Sequence, residues 1–332
     1  IGVPVYPFES PNFLPSAKNK QVNLVRSVAY NLFRLHKYLS SIRYINRMIK
    51  ETGADVVVNF YELLTGLTYL FCHPKALMVC IAHQYLFLHP DFVFPGQNRL
   101  SLVSLKFFTR MTAIGATKKL ALSFRKMREV PSEGIVVVPP LLRKEVLETT
   151  PVNGDYLHGY LLNSGFSEEI RSWHKVHPNV ALHIFWDKKE VRPEVKVDSF
   201  LSFHQLNDTL FIRYMAGAKA YATTSGFESV CEAMYLGKPV LMVPTHIEQS
   251  CNAFDAVQAG AGVVADRFDL DALLELSRTH RPNPAFSHWV KQADWLILRE
   301  FRPDLLMEET PASLWRRLST RWIYRLGKTL SI

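Results

Sequence analysis

Residues 223–262 read TTSGFESVCEAMYLGKPVLMVPTHIEQSCNAFDAVQAGAG, and no other stretch of this chain restricts its fold so tightly. Tyr221 and Ala222 end an apolar segment, Ser225 stands where a helix N-cap belongs, and Gly226 leads helix-compatible residues up to Leu236. A helix starting at about Ser225 aims unpaired amides and the positive end of its peptide dipoles at the space before it. Gly226 lets a phosphate approach that backbone closely. Ser229 and Glu232 are three residues apart and share one face, the hydroxyl near the mouth and the carboxylate one turn deeper. A diphosphate at the mouth would therefore leave Glu232 to accept hydrogen bonds from a ribose. Gly237 serves as a C-cap, and Lys238-Pro239 stops the helix. The apolar run Val240 to Val243, closed by Pro244, reads as a buried parallel strand. Ligands of open α/β sheets collect outside such carboxyl ends, so the next loop offers them Thr245, His246, Glu248, Gln249 and Asn252. The same letters also allow a ligand-free reading, in which Ser225-Gly226-Phe227-Glu228 is a capping box and Glu228 folds back onto the N-cap amide.

The rest of the chain alternates strand and helix in the manner of doubly wound sheets. Residues 1–6 resemble a strand entered midway, a helix-rich run covers about 21–52, and strands are expected at 54–59 and 76–82. The first ends in Phe60-Tyr61-Glu62 and the second in His83-Gln84-Tyr85. The strand at 135–138 runs into Pro139-Pro140, an extended pair that suits a domain exit. These signals predict a first domain over 1–142, a linker over 143–155, a second domain over 156–282, a cross-over helix over 283–301 and a basic tail over 302–332. In the second domain a strand turns sharply into a helix at Asn163-Ser164-Gly165, beside the expected crevice, where a structural turn and a phosphate contact explain the letters equally well. Further strands are expected at 180–186 and near 200–203.

Taken together, the segment resembles the nucleotide-binding signature of the two-domain GT-B glycosyltransferases, the group of the UDP-sugar transferases and the peptidoglycan N-acetylglucosaminyltransferase. Their spacing, H-x-G-x-x-S-x-x-E-A-x-x-x-G-x-P followed by P-x-x-x-D-Q-x-x-N-A, is met by Gly226, Ser229, Glu232, Ala233, Gly237, Pro239, Pro244, Gln249, Asn252 and Ala253. The resemblance implies an α/β GT-B fold, two Rossmann-like domains of parallel sheet facing a cleft. It also implies that Gly226 and Ser229 meet the phosphates, that Glu232 holds the ribose, and that Glu248 with Gln249 meets the sugar hydroxyls; the helix start at Thr224-Ser225-Gly226-Phe227 would face the same diphosphate, and His246 lies close to the sugar-binding pair. Residues 207–216 correspond to the loop that receives the base, with Phe211 as its large apolar side chain, although a core role suits a Phe as well. Thr224 stands where many members carry a histidine, and Glu248 replaces an aspartate. Members place a strand and a glycine-rich loop, often with the catalytic base, ahead of the elements seen here, so the base is expected either upstream of Ile1 or among Glu62 and His83. His83 equally suits a hydrogen-bonded structural role. The expected partners are a nucleotide-sugar, which is a substrate rather than a cofactor, and an acceptor hydroxyl, with no metal. Two rivals stand beside this reading. UDP-sugar 2-epimerases share the architecture but carry two adjacent acids after a double glycine, whereas Gly226 is single and Ala233 follows Glu232. A non-catalytic nucleotide-sugar-binding subunit is the other.

Composition narrows the class. An apolar content of 48% excludes general disorder, and no run of about 20 apolar residues predicts a membrane span. Cys72, Cys80, Cys231 and Cys251 lack paired or metal-ligand spacing, which fits reduced core thiols and a cytoplasmic protein. The net charge of +9 is carried in part by LWRRLSTRWIYRLGKTL from Leu314. On a helix this sequence puts Trp315, Leu318, Trp322 and Leu326 on one side and Arg317, Arg321, Arg325 and Lys328 on the other. Docking onto the protein and lying at the inner face of an anionic membrane both suit it. With the aromatic run Tyr85-Leu86-Phe87, the tail points to a lipid-linked acceptor. No nucleic-acid-binding pattern accompanies the charge.

Overall fold

The computed structural model describes residues 4–11, 24–96, 99–162, 164–188 and 192–302. Two helices, α1 (Leu24–Phe33) and α2 (Leu35–Glu51), precede a first sheet built from β1 (Val56–Asn59), β2 (Leu77–Ala82), β3 (Lys118–Leu122) and β4 (Ile135–Val138). Helix α3 (Leu63–Cys72) joins β1 to β2, and α4 (Arg99–Thr112) joins β2 to β3. All four strands are parallel and lie in chain order. The strands are apolar on both faces because both faces are covered. Val79, Ile81, Leu120, Leu122, Val136 and Val138 enter one core cluster, while Met78, Cys80, Ala82, Ala121, Ile135 and Val137 point into another. That is the two-residue period of a strand read twice.

Beyond the short helix α5 (Lys144–Glu148) the second sheet begins with β5 (Tyr156–Leu161) and, after α6 (Ser167–Val176), β6 (Ala181–Trp186). It continues through β7 (Glu194–Lys196), β8 (Leu201–Gln205), α7 (Asp208–Gly217), β9 (Ala220–Thr223), α8 (Phe227–Tyr235), β10 (Val240–Met242), α9 (Ile247–Gln258) and β11 (Gly262–Val264). Helices α10 (Leu270–Thr279), α11 (Pro284–Val290) and α12 (Ala293–Arg299) follow. The strand order is β11-β10-β9-β5-β6-β8-β7, parallel except for β7, a short antiparallel edge that the sequence pattern did not signal. The core cluster on one face of the first sheet continues into Phe227, Val230 and Met234 of α8 and into Phe286, Val290 and Ile297 of α11 and α12. Trp289 Nε1 donates to Ser123 O at 3.0 Å and Lys118 pairs with Glu300 at 2.9 Å, so the last helices lie against the first sheet.

Three expectations need correction. Residues 4–6 form no strand, and residues 1–3 lie outside the described residues. Pro4 and Pro7 deprive this stretch of ladder donors, and it is tied down by side chains instead, with Glu9 pairing with Arg34 and Lys37. Residues 207–216 are not a loop: Asn207 caps α7 by accepting from Leu210 N at 3.0 Å, and Phe211, Ile212, Met215 and Ala216 form its buried face. An asparagine ahead of apolar residues at helical spacing is an N-cap signal that the resemblance overrode. Finally, Tyr85, Leu86 and Phe87 are wholly buried in the core beside the first sheet and present no aromatic surface to an acceptor. The tail at 303–332 lies outside the described residues. Among the described residues no helix is long and apolar enough to cross a membrane.

Candidate functional site

The carboxyl end of β9 and the start of α8 make a three-residue turn, Thr224-Ser225-Gly226. The helix begins one residue later than the sequence suggests, with Gly226 as its N-cap and no side chain capping it. Ser225 instead takes a left-handed conformation, φ 72°, unusual for a residue with a side chain. Glu228 is exposed, and the capping box is not formed. The amides of the first turn are thus left without a side-chain acceptor, which is the anion-binding geometry of a helix start. At the far end the helix closes with Gly237 at φ 71°. There Lys238 N bonds Ala233 O at 2.8 Å and Gly237 N bonds Met234 O at 3.1 Å, a Schellman motif.

The mouth of α8 gathers buried polar atoms. Ser225 Oγ has no partner, the Tyr221 hydroxyl has only Thr223 and Ser229 beside it, and His83 Nε2 has only the Asn252 side chain, none of these in full hydrogen-bonding geometry. A buried polar group left unsatisfied costs about 1–3 kcal/mol, and several together are what a site for a polar ligand leaves behind. Asn252, on α9, holds the turn through Nδ2 to Ser225 O at 3.5 Å. Thr224 is 2% exposed, Phe227 is buried, and Ser229 Oγ bonds Gly226 O at 3.3 Å. One turn deeper, Glu232 receives a forked pair from Arg143, Nε to Oε1 at 2.7 Å and Nη2 to Oε2 at 2.9 Å. Burial pushes the Glu232 carboxyl up, and Arg143 pulls it partway back.

On the neighbouring loop, His246 caps α9 with no side-chain bond of its own, and burial pushes its imidazole down. Gln249 Oε1 accepts from Thr245 N at 2.9 Å and Thr245 Oγ1 at 2.8 Å, so this oxygen is engaged within its own loop. Glu248 accepts from Gln84 Nε2 at 2.8 Å, and burial pushes it up. Ser164 and Gly165 form a single tight turn, Ser164–Phe166, after β5. Because β5 pairs with β9 through Tyr160 and Thr223, that turn lies at the same sheet edge as the mouth. Phe211 is in an aromatic cluster, its ring 4.8 Å from His158, 5.4 Å from Phe185 and 6.1 Å from Tyr221.

The first sheet faces this edge with its own carboxyl ends. Glu62 is spent as the N-cap of α3, accepting from Leu64 N at 2.9 Å and from Ser10 Oγ at 2.8 Å. His83 follows β2 directly and stacks on Phe227 with ring centroids 3.9 Å apart. Its Nδ1 lies 2.7 Å from Leu122 O; a carbonyl only accepts, so Nδ1 carries the hydrogen and Nε2 the lone pair. Burial pushes His83 down to about 4, against the opposing pull of Leu122 O and Asn252. The structure therefore brings Thr224 to Ser229, Glu232, Asn252 and His83 together, with His246, Glu248 and Gln249 on the adjoining loop, while Phe211 is buried and Glu62 caps α3. Arg143, Gln84 and the Arg125–Asp255 ion pair are contributions that the sequence reading missed. Only the burial expected of Glu232 signals that a cation must come from somewhere.

A family profile, Glycosyl transferase family 1, matches residues 13–276, most of the chain. This chain belongs to glycosyl transferase family 1. The glycotransferase of kitacinnamycin superposes with a TM-score of 0.56 at 15% identity, over 89% of this chain and 85% of that one, which places the glycosyl transferase family 1 chain in the GT-B fold. LpCGTa, crystallised with UDP, gives a TM-score of 0.48 at 13% identity over 87% and 82% of the two chains. A Caenorhabditis elegans protein, ugt-48, whose name is that of a UDP-glucuronosyltransferase, is 29% identical over 111 residues. That match covers 32% of this family 1 chain and only 19% of the relative's length.

Proposed function

We propose that this glycosyltransferase moves a sugar from a UDP-sugar to an acceptor hydroxyl held between its two sheets. The observation that carries the proposal is the mouth of α8, with its uncapped amides, left-handed Ser225 and unpartnered Ser225 Oγ. The UDP part of the reading is supported by the name of ugt-48. In this reading the diphosphate lies at the mouth, where the amides stabilise the charge that grows as the anomeric C–O bond breaks. Glu232 accepts from the ribose, and His246, Glu248 and Gln249 face the sugar. The acceptor oxygen attacks the anomeric carbon, its proton passes to a base, and UDP leaves.

His83 is the better placed of the two base candidates, since Nε2 keeps its lone pair with only the Asn252 side chain beside it, whereas Glu62 is a helix cap. An imidazole near 4 is a weak base, and a diphosphate bound opposite would raise it toward a useful value. The buried thiols Cys80, Cys231 and Cys251 support a reducing, cytoplasmic setting. The acceptor is a hydroxyl compound, and the aromatic run Tyr85-Leu86-Phe87, being buried, offers it no apolar surface. UDP should raise the melting temperature of the protein through mass action, and Glu232→Ala should remove the rise. A UDP-soaked crystal with the nucleotide away from the α8 mouth would overturn the assignment, and an epimer formed from donor alone would replace transfer by isomerisation.

A further inference from the structure

Glu232 is 5% exposed at its side chain, and a carboxylate removed from water to that degree loses its charge unless a cation accompanies it. The cation comes from the linker. Past the extended Pro139-Pro140 pair, Arg143 stands at the N-cap of α5 with β-region backbone. It offers Nε and Nη2 to the two Glu232 oxygens and its third nitrogen, Nη1, to Asp208 Oδ1 at 3.3 Å. The guanidinium is thereby held from two sides, and its plane fixes the plane of the carboxylate. A carboxylate accepts about four hydrogen bonds. The fork uses one site on each oxygen, which leaves one site on each for another donor.

We infer that Arg143 is a positioning residue for the donor: its fork sets the Glu232 carboxylate so that the two remaining acceptor sites meet two adjacent ribose hydroxyls, making the interdomain linker a determinant of ribose recognition. The inference rests on the donor site proposed above. Other groups set the charge around Glu232 without being able to replace the arginine. Glu228 and Asp208 act on it electrostatically and raise its carboxyl further, Tyr221 and Cys231 are kept neutral by their own burial, and Glu145 acts on Arg143. The groups that act on the Glu232 carboxyl besides Arg143, Glu228 and Asp208, are both acids.

The test is calorimetric titration of the full chain with UDP and with 2′-deoxy-UDP between pH 5 and 8, for wild type, Arg143→Met, Arg143→Lys and Glu232→Gln. Wild type should prefer UDP about tenfold or more, the worth of one hydrogen bond from a hydroxyl to a charged carboxylate. Arg143→Met should weaken UDP about tenfold and the deoxy analogue, which keeps one of the two hydroxyls, by less, so that the preference shrinks. Without the arginine the Glu232 carboxyl titrates at higher pH, and UDP binding should fail at a higher pH as the solution is acidified. Arg143→Lys keeps a charge without the fork and should fall between the two, which also guards against a variant that merely misfolds. An unchanged preference and pH limb in Arg143→Met would make the arginine structural, and tighter UDP binding would show that it competes with the ribose. Either result overturns the inference. If Glu232→Gln collapses the preference while Arg143→Met does not, only the role of Arg143 fails. If Glu232→Gln leaves both affinities unchanged, the donor site itself is wrong and the inference falls with it.

Discussion

The carboxyl ends of the two sheets present similar kinds of side chain in opposite states. At the second sheet, Ser225 Oγ is buried without a partner, and the first turn of α8 has no side-chain cap. At the first sheet, Glu62 is consumed by Leu64 N and Ser10, and one nitrogen of His83 is consumed by Leu122 O. An acid at a strand end is therefore weak evidence of chemistry; an unsatisfied polar atom at a strand end is stronger, because folding alone gives no reason to bury it. His83 is the point where the two edges meet, since its remaining nitrogen has only Asn252 beside it and its ring lies on Phe227 of α8, the helix that follows β9.

The largest expected effect is at that meeting point. His83→Gln should lower kcat by roughly 10²–10⁴ if Nε2 takes the acceptor proton, with donor affinity held within a few fold. Steady-state kinetics at saturating donor would decide it, and an unchanged kcat would return His83 to the structural side of the comparison.

Next comes Gly226. A Cβ built there meets nothing nearer than Ser229 Oγ at 3.7 Å, an ordinary contact, and the residue's φ of −64° suits any side chain. Gly226→Ala should consequently change stability by no more than about 0.5 kcal/mol. Donor affinity should nonetheless fall by about tenfold or more, because the methyl group stands where a phosphate would approach the backbone. Loss of melting temperature together with affinity would mean that the glycine serves the fold rather than the ligand.

A third difference lies behind the edges. The second sheet places His158 and His204, both buried, and His183, half-buried, on neighbouring strands; burial pushes His158 down to about 3, His183 to about 4, and His204 below its usual value. The unfolded chain takes up these protons near pH 6.5 and the folded chain refuses them. Their contribution is complete above about pH 6.5 and is lost as the pH falls from there toward 4 and 3. His158 is fully buried with Nε2 unpartnered. His158→Phe should accordingly lose about 1 kcal/mol less stability than wild type between pH 7 and 5.5. Glu232, Glu248 and Asp255, all raised by burial, act in the opposite direction, so the comparison should be made between variants and not from one curve. Denaturant titrations at the two pH values measure it, and parallel losses in both proteins would remove the histidine from the explanation.

How much of this was open to a reader of the sequence depends on how far apart the cooperating residues lie. The α8 mouth was legible because turn, glycine, hydroxyl, acid and stop signal follow one another between Ser225 and Pro239, and helix geometry converts that spacing directly into a face. Arg143 and Glu232 are 89 positions apart, and Gln84 and Glu248 are 164 apart. No local periodicity encodes such pairs; only the packing of the sheets brings them together. The alternating strands of both sheets were legible from near-continuous apolar runs such as Leu77–Ala82 and Ile135–Val138. Phe211 and Tyr85-Leu86-Phe87 were ambiguous for a different reason. An aromatic letter gives a size and an affinity for apolar surroundings, but not whether those surroundings are a ligand or the core. The three-residue edge strand β7 was invisible because it is too short and too exposed to show a period.

The smallest effect would sharpen the comparison most cleanly. Glu62→Ala removes the cap of α3 and the acceptor for Ser10, which should cost about 1 kcal/mol of stability. Glu62→Gln keeps a side-chain oxygen able to accept from Leu64 N and should restore most of that loss. Neither change should move kcat by more than about threefold, because an acid that acts only as a helix cap takes no proton from the acceptor. Thermal melts and kinetics on the same samples separate the two roles. A Glu62→Gln variant that melts like wild type yet turns over a hundredfold more slowly would show that the first sheet's edge carries the base after all, and that its neat hydrogen bonding describes only the state before acceptor arrives.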